Sequence, residues 1–240
     1  MLYVHSRGLM ALEQARSTWE KFSAPLVKKL ERVPPIILTW MTLPIGLCGA
    51  LLLLIAGRDL QGAILLFSGG CLIGISMLLD GLDGTLARAT DNVTRWGDYL
   101  DHTLDRILDI AWILAIGYNA HWVDEPQLAW AAALLTLLGS YLGTQAQAVI
   151  GSRNYGGFSR ADRMMLTILA LALTIIMIII DMSDPWNFPD RFGGMGLNPM
   201  SAIVIISGLG GIWTFLVRFM GARAELRDID AREPLNRSEE

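Results

Sequence analysis

The chain has 240 residues, 53% of them hydrophobic, with a mean hydropathy of +0.44 and a formal net charge of -4. Such apolarity excludes an ordinary water-soluble domain and directs attention to membrane spans. The two cysteines, Cys48 and Cys71, lie in apolar runs without a CxxC spacing, which gives little support to a disulfide framework or a zinc site and reads as two buried thiols.

Taken in chain order, the first thirty residues are mixed polar and hold no cleavable leader, so the first span is expected to act as its own targeting element. Apolar residues recur at Leu9, Leu12, Ala15, Trp19, Phe22, Leu26 and Leu30, the three-and-four spacing of an amphipathic helix. Ser23-Ala24-Pro25 is expected to interrupt it. The helix is read as interfacial, with basic residues meeting lipid headgroups, although the same pattern also fits a helix packed on its own protein. Six stretches then approach the roughly 20 apolar residues that a span needs: 36–56, 62–82, 99–120, 127–150, 163–181 and 199–220. The expected fold is therefore an all-α polytopic membrane protein of six transmembrane helices behind an N-terminal cytoplasmic interfacial helix. Its parts are residues 1–35, a six-span domain over 36–220, and a charged, mobile tail over 221–240.

Basic residues sort the connecting segments. Arg7, Arg16, Lys21, Lys28, Lys29 and Arg32 precede the first span; Arg88 and Arg95 follow the second; Arg153, Arg160 and Arg163 follow the fourth; and Arg218, Arg223, Arg227, Arg232 and Arg237 close the chain. The remaining loops hold only Arg58 and Arg191. Lys and Arg are retained on the cytoplasmic side, which puts both termini there, in the plasma membrane of the cell.

The second and third spans are imperfect, and the imperfection is informative. Asp80 and Asp83 are three residues apart and Asp101 and Asp105 four apart, so each pair shares a helix face. The hydrophilic segment 84–97 is expected to reverse the chain and bring the two faces together at the cytoplasmic membrane edge. Four carboxylates there repel one another, so they are either protonated or gathered around a cation, for which hard oxygen ligands suit magnesium, manganese or calcium. Gly84 and Gly97 flank the reversal and permit close backbone approach, and Arg88 offers a fork for phosphate oxygens. Carboxylates, metal, glycines and an arginine together read as a phosphoryl-transfer site.

The run from Asp80 to Asp105, D-x2-D-G-x2-A-R-x8-G-x3-D-x3-D, resembles the signature of the CDP-alcohol phosphotransferases (CDP-alcohol phosphatidyltransferases) of class I. The resemblance implies transfer of a phosphatidyl-type or archaetidyl-type group from a CDP-activated lipid to a polar alcohol, with release of CMP. It implies two divalent ions, Mg2+ or Mn2+, held by Asp80, Asp83 and Asp101, with Asp105 as ligand, general base or both. Gly84, Ala87, Arg88 and Gly97 would line the CDP pocket, and a homodimer is expected. One departure stands out: many members carry Pro-Asn and then a Thr at the start of span one, whereas Pro34-Pro35-Ile36-Ile37-Leu38-Thr39 has no Asn.

The loop after span four holds Arg153, Arg160 and Arg163 with Asp162 as its only acid. Three guanidinium forks there suit a phosphate monoester on the acceptor, as in members that use inositol phosphate or glycerol phosphate; the same arginines would also serve orientation alone. Gly143-Thr144-Gln145 lacks the basic residues that inositol-phosphate members often carry late in span four. His102 reads as packed or solvated, Asp98 and Asp109 as partners of neighbours such as Arg106, and Gly70 with Gly74 as a GxxxG contact. The competing class is a cation or proton transporter, since acidic residues in spans also mark ion pathways.

Overall fold

The computed structural model describes residues 19, 22–152, 156–189 and 194–232. Its helices are α1 (22–30), α2 (Pro35–Ile55), α3 (Leu60–Ala89), α4 (Arg95–Gly117), α5 (Pro126–Ile150), α6 (Arg160–Ile179) and α7 (Pro199–Arg232). Two-residue strands β1 (Trp186–Asn187) and β2 (Gly196–Leu197) pair antiparallel between α6 and α7, an element that the expected all-α fold does not contain. Five helices, α2, α3, α5, α6 and α7, are long and apolar enough to cross a membrane. The helix at the third expected span, α4, is long enough by residue count but carries Asp98, Asp101, Asp105, Arg106 and Asp109. The chain is thus a multi-pass membrane protein. Many large apolar side chains on the span surfaces are exposed, as a lipid-facing surface requires. Cys48 and Cys71 are among the exposed residues, which corrects the expectation of buried thiols: in a membrane the outer face of a span is itself apolar.

The chain divides into two compact units, Met1–Gly46 with Leu72–Asp105, and Leu47–Cys71 with Arg106–Glu240. In the first, Val27 of α1 is buried against Leu38 of α2 and Leu82 and Leu86 of α3, with Leu26, Leu30 and Trp19 around them. The apolar stripe of α1 therefore packs at least partly on its own protein, while Phe22, Lys28 and Lys29 stay exposed. The interruption expected at Ser23-Ala24-Pro25 is absent, because α1 runs through all three. Proline carries a helical φ, so the segment keeps its helical path through Pro25. Leu9, Leu12 and Ala15 lie outside the described residues.

The reversal between α3 and α4 is shorter than the expected 84–97. The helix α3 continues to Ala89 and α4 begins at Arg95, so Gly84, Ala87, Arg88 and Gly97 are all helical. Two devices set these ends. Asp91 adopts a left-handed φ of 55°, and Asn92 N–H reaches back to Ala87 C=O at 2.9 Å, a Schellman-type stop with Asp in the place glycine usually takes. Thr94 then caps α4, its hydroxyl accepting from Gly97 N–H at 3.0 Å.

In the second unit α5 and α7 meet along a seam of small residues, Ala132, Thr136 and Gly139 on one side and Ser207, Gly208, Gly211 and Thr214 on the other. A Cβ at Gly211 would sit 2.6 Å from the Leu135 carbonyl carbon, so the backbones touch as in small-residue membrane contacts. The expected GxxxG does no such work: a Cβ at Gly74 would meet nothing within 4 Å, and one at Gly70 only a Leu171 methyl at 3.3 Å. Past residue 220, α7 stays helical through Arg232, which corrects the mobile tail over that stretch; Ala222, Arg223, Ala224, Glu225, Leu226 and Arg227 are good helix formers that need no apolar face outside the bilayer.

Candidate active site

Within the first unit, α3 supplies Asp80 and Asp83 and α4 supplies Asp101 and Asp105. Asp80, Asp101 and Asp105 each present an oxygen within 4.8 Å of the others. Asp83 stands outside this group; it is buried, and its Oδ2 accepts from the Thr39 hydroxyl at 2.5 Å. Asp105 keeps only 9% of its surface exposed, whereas the Asp101 side chain keeps 33%. The His102 nitrogens lie 3.7 Å from both Asp98 and Asp101 carboxylates, so His102 is a neighbour of the site rather than one of its clustered carboxylates.

Three carboxylate oxygens so close together, in surroundings of reduced polarity, are mutually repulsive unless a cation lies among them. The donor set is all hard oxygen, which fits a divalent ion of the magnesium or manganese kind and offers nothing to a thiophilic one. A cavity of about 580 Å³ adjoins the group, lined by Asp83, Gly84, Ala87, Arg88, Gly97 and Asp101 together with the segment 31–36 and Thr39. All the residues that the signature implies for a nucleotide therefore face one space. The Arg88 guanidinium folds back along α3, with Nη2 3.4 Å from Thr85 Oγ1 and Nη1 against Gly84, where a Cβ would come within 3.4 Å. Thr39 enters the sequence reading only through its motif; no local spacing signals its hold on Asp83.

The second unit contains a cluster centred on Asp109, which is 1% exposed. Arg163 Nη2 donates to Asp109 Oδ2 at 2.6 Å, Arg160 Nε to Oδ1 at 3.3 Å, and Arg106 Nη1 stands 3.9 Å away while donating to Ser140 Oγ. Arg163 is 4% exposed and its Nε has no hydrogen-bond partner among the described residues, whereas the Arg160 side chain keeps 17% exposure and lies 5.9 Å from the Trp112 ring centre. Arg153 lies outside the described residues. The geometry brings Arg160 and Arg163 together but commits Arg163 to a buried ion pair, with Asp109 as partner to three arginines rather than to Arg106 alone.

Local structure explains why Arg160 and Arg163 point where they do. Ser159 and Asp162 form a capping box that starts α6, so Asp162 is a cap and not part of the arginine group. The S-x-x-D spacing before an apolar run is a readable sign of it. The preceding loop is pinned to α7: Thr214 Oγ1 accepts from Phe158 N–H at 2.9 Å, and Arg218 donates to Gly156 C=O at 3.0 Å and Gly139 C=O at 2.9 Å. Gly157 has φ 99°, and a Cβ there would lie 2.7 Å from Thr214 Cα, so this close approach admits only glycine.

Fold and site together define a polytopic helical membrane enzyme with a carboxylate group suited to divalent metal beside a nucleotide-sized cavity. The family model for CDP-alcohol phosphatidyltransferase matches residues 33–213, and the chain belongs to that family. Its members are transferases of phospholipid biosynthesis that move a substituted phosphate from a CDP-activated donor to an alcohol with the help of divalent metal. This separates the chain from a cation or proton transporter.

Among relatives, the chain is 31% identical over 172 residues to the phosphatidylinositol phosphate synthase of Cutibacterium acnes, covering 68% of this chain and 78% of that one. It is 30% identical over 164 residues to the archaetidylinositol phosphate synthase of Pyrococcus horikoshii, covering 64% and 82%. The fold is similar to crystal structures of the Mycobacterium tuberculosis phosphatidylinositol phosphate synthase. With CDP-DAG bound, that protein superposes with a TM-score of 0.62 at 23% identity, covering 84% of this chain and 94% of that one. In complex with manganese and citrate the score is 0.62 at 24% identity, covering 83% and 88%.

Proposed function

We propose that the chain transfers a phosphatidyl-type or archaetidyl-type group from a CDP-linked lipid to a phosphorylated polyol, inositol phosphate before glycerol phosphate. The observation that carries the acceptor class is the Asp109 cluster, in which three guanidinium groups surround one carboxylate and leave a formal excess of two positive charges (three less one). A phosphate monoester is the natural complement of that excess. Arg160 is the principal clamp, with Arg163 held rigidly behind it by Asp109 and Arg153 as a further candidate. The kinship with inositol phosphate synthases favours inositol phosphate, against the absence of basic residues at Gly143-Thr144-Gln145.

In this reading Asp80, Asp83, Asp101 and Asp105 hold two divalent ions, Mg2+ or Mn2+. When bound, the ions would offset charge on the pyrophosphate and on the departing CMP. Gly84, Ala87, Arg88 and Gly97 seat the nucleotide. Asp105 takes the proton of the acceptor hydroxyl, whose oxygen forms a bond to the lipid-linked phosphorus as the bond to CMP breaks.

Six spans, with α4 included, would cross the plasma membrane with both termini and the site cytoplasmic, and the chain would work as a homodimer. The split of arginines between alternate loops supports that orientation. Exposed Phe22, Lys28 and Lys29 support contact of α1 with the membrane surface, within an N-terminal part of residues 1–35. The catalytic domain is 36–220, followed by the charged segment 221–240.

The acceptor site is tested by Arg160→Gln, measured with inositol phosphate and glycerol phosphate in parallel. A charged hydrogen bond contributes about 1.5–3 kcal/mol, so acceptor KM should rise about ten- to a hundredfold while KM for CDP-lipid stays put. An unchanged acceptor KM would leave the arginines with an orienting role only.

A further inference from the structure

We propose that Trp19 and Thr85 are positioning residues that set the guanidinium of Arg88 for the nucleotide's diphosphate, an inference that rests on Arg88 serving the nucleotide. Trp19 lies outside the aspartate motif, and Thr85 occupies one of the positions the motif leaves open.

The chemistry of the three groups fixes the direction of every bond. The indole N–H and the guanidinium can only donate, and the threonine hydroxyl has one proton and two lone pairs. Thr85 gives its proton to Gly81 C=O one turn back, at 2.9 Å. Its oxygen is then left as an acceptor, and it receives Trp19 Nε1–H at 3.1 Å and Arg88 Nη2–H at 3.4 Å. The same indole N–H is 3.3 Å from Gly81 C=O. One hydroxyl thus joins the N-terminal segment to the arginine that lines the cavity.

The indole reaches this place because Gly81 has no side chain: a Cβ there would lie 2.6 Å from Trp19 Cζ2. The ring is also packed beside the buried group of Val27, Leu38, Leu82 and Leu86, so it is held independently of Arg88. Gly81 and Thr85 share a helix face next to the one that carries Asp80, Asp83, Gly84 and Ala87. Arg88 itself is exposed and would otherwise move among many rotamers. With Nη2 on Thr85 and Nη1 against Gly84, it is drawn back along α3 over the cavity wall that Asp83 and Gly84 form. Trp19 and Thr85 line none of that cavity and act only through the arginine.

The test uses the full-length protein and CDP with Mg2+ as probe, reading Kd by calorimetry and, in parallel, kcat and both KM values. Thr85→Val, which deletes the hydroxyl at constant shape, should weaken CDP about three- to tenfold, the scale of one net hydrogen bond. Trp19→Phe, which keeps a ring but loses the N–H, should weaken it about two- to fivefold on the same grounds. Thr85→Ser should restore wild-type affinity, and acceptor KM and kcat should hold in all three. In an Arg88→Gln background Thr85→Val should add nothing. Wild-type CDP affinity in both Thr85→Val and Trp19→Phe, failure of Thr85→Ser to rescue, or an additive loss in the Arg88→Gln background would overturn the inference. If Arg88→Gln alone binds CDP like wild type, the nucleotide role of Arg88 falls, and the inference with it; a weak Arg88→Gln beside unaffected Thr85→Val and Trp19→Phe overturns the positioning role only.

Discussion

Asp105→Asn should lower kcat by about two orders of magnitude or more, the usual share of a general base. Asn keeps the shape and one oxygen of the carboxylate but does not accept a proton, so the acceptor hydroxyl would attack without proton removal. The environment suits the role. Asp105 is almost fully buried, so bulk water does not readily stand in for it, and it lies on α4 one turn beyond Asp101 with its oxygen in the same group. KM for CDP-lipid should move little. Steady-state kinetics with saturating metal checks this, and a near wild-type kcat would move the base elsewhere.

Removal of divalent metal should abolish turnover altogether, and readdition of Mg2+ or Mn2+ should restore it. Asp80, Asp101 and Asp105 present oxygens within 4.8 Å of one another, an arrangement with strong mutual repulsion that a divalent ion would relieve. Stabilisation by metal of several kcal/mol corresponds to roughly a thousandfold or more in rate. Asp80→Asn and Asp101→Asn should each lower turnover on that scale and raise the metal concentration needed for half-maximal rate, because each removes a ligand. Turnover in excess chelator, or metal dependence unaltered by both substitutions, would show that these carboxylates are clustered for another reason.

The grouping of Asp80, Asp101 and Asp105 could be read from the sequence because helical spacing decides which residues share a face, whereas Asp83, expected among them, stands apart and accepts from Thr39. Four acids at the edges of apolar spans are also costly to keep there unless they serve a site. The end of α3 was less legible. The hydrophilic segment from Gly84 onward reads as a reversal, yet α3 runs on through Ala89, and its stop depends on Asp91 accepting a left-handed backbone. The arginines illustrate a harder limit. Arg160, Arg163 and Asp162 sit close together in sequence and resemble one group, but Asp162 is spent on a capping box and Arg163 is paired with Asp109, 54 positions away in the chain. No local pattern announces a partner at that distance. Membrane context also inverts a rule that holds in water, which is why Cys48 and Cys71, apolar in their surroundings, turn out exposed. The seam between α5 and α7 was missed in the sequence, where Gly70 and Gly74 carried the more familiar spacing without the contact.

The most direct test is acceptor-dependent release of CMP from a CDP-activated lipid by the purified protein with Mg2+, across inositol phosphate, glycerol phosphate, free inositol, serine and ethanolamine, with the lipid product identified by mass spectrometry. The account predicts CMP release with inositol phosphate as best acceptor, glycerol phosphate next, and a phosphorylated phosphodiester lipid as product. Preference for free inositol, serine or ethanolamine would contradict the phosphate clamp at the Asp109 cluster, and no CMP release with any acceptor would contradict the transfer itself.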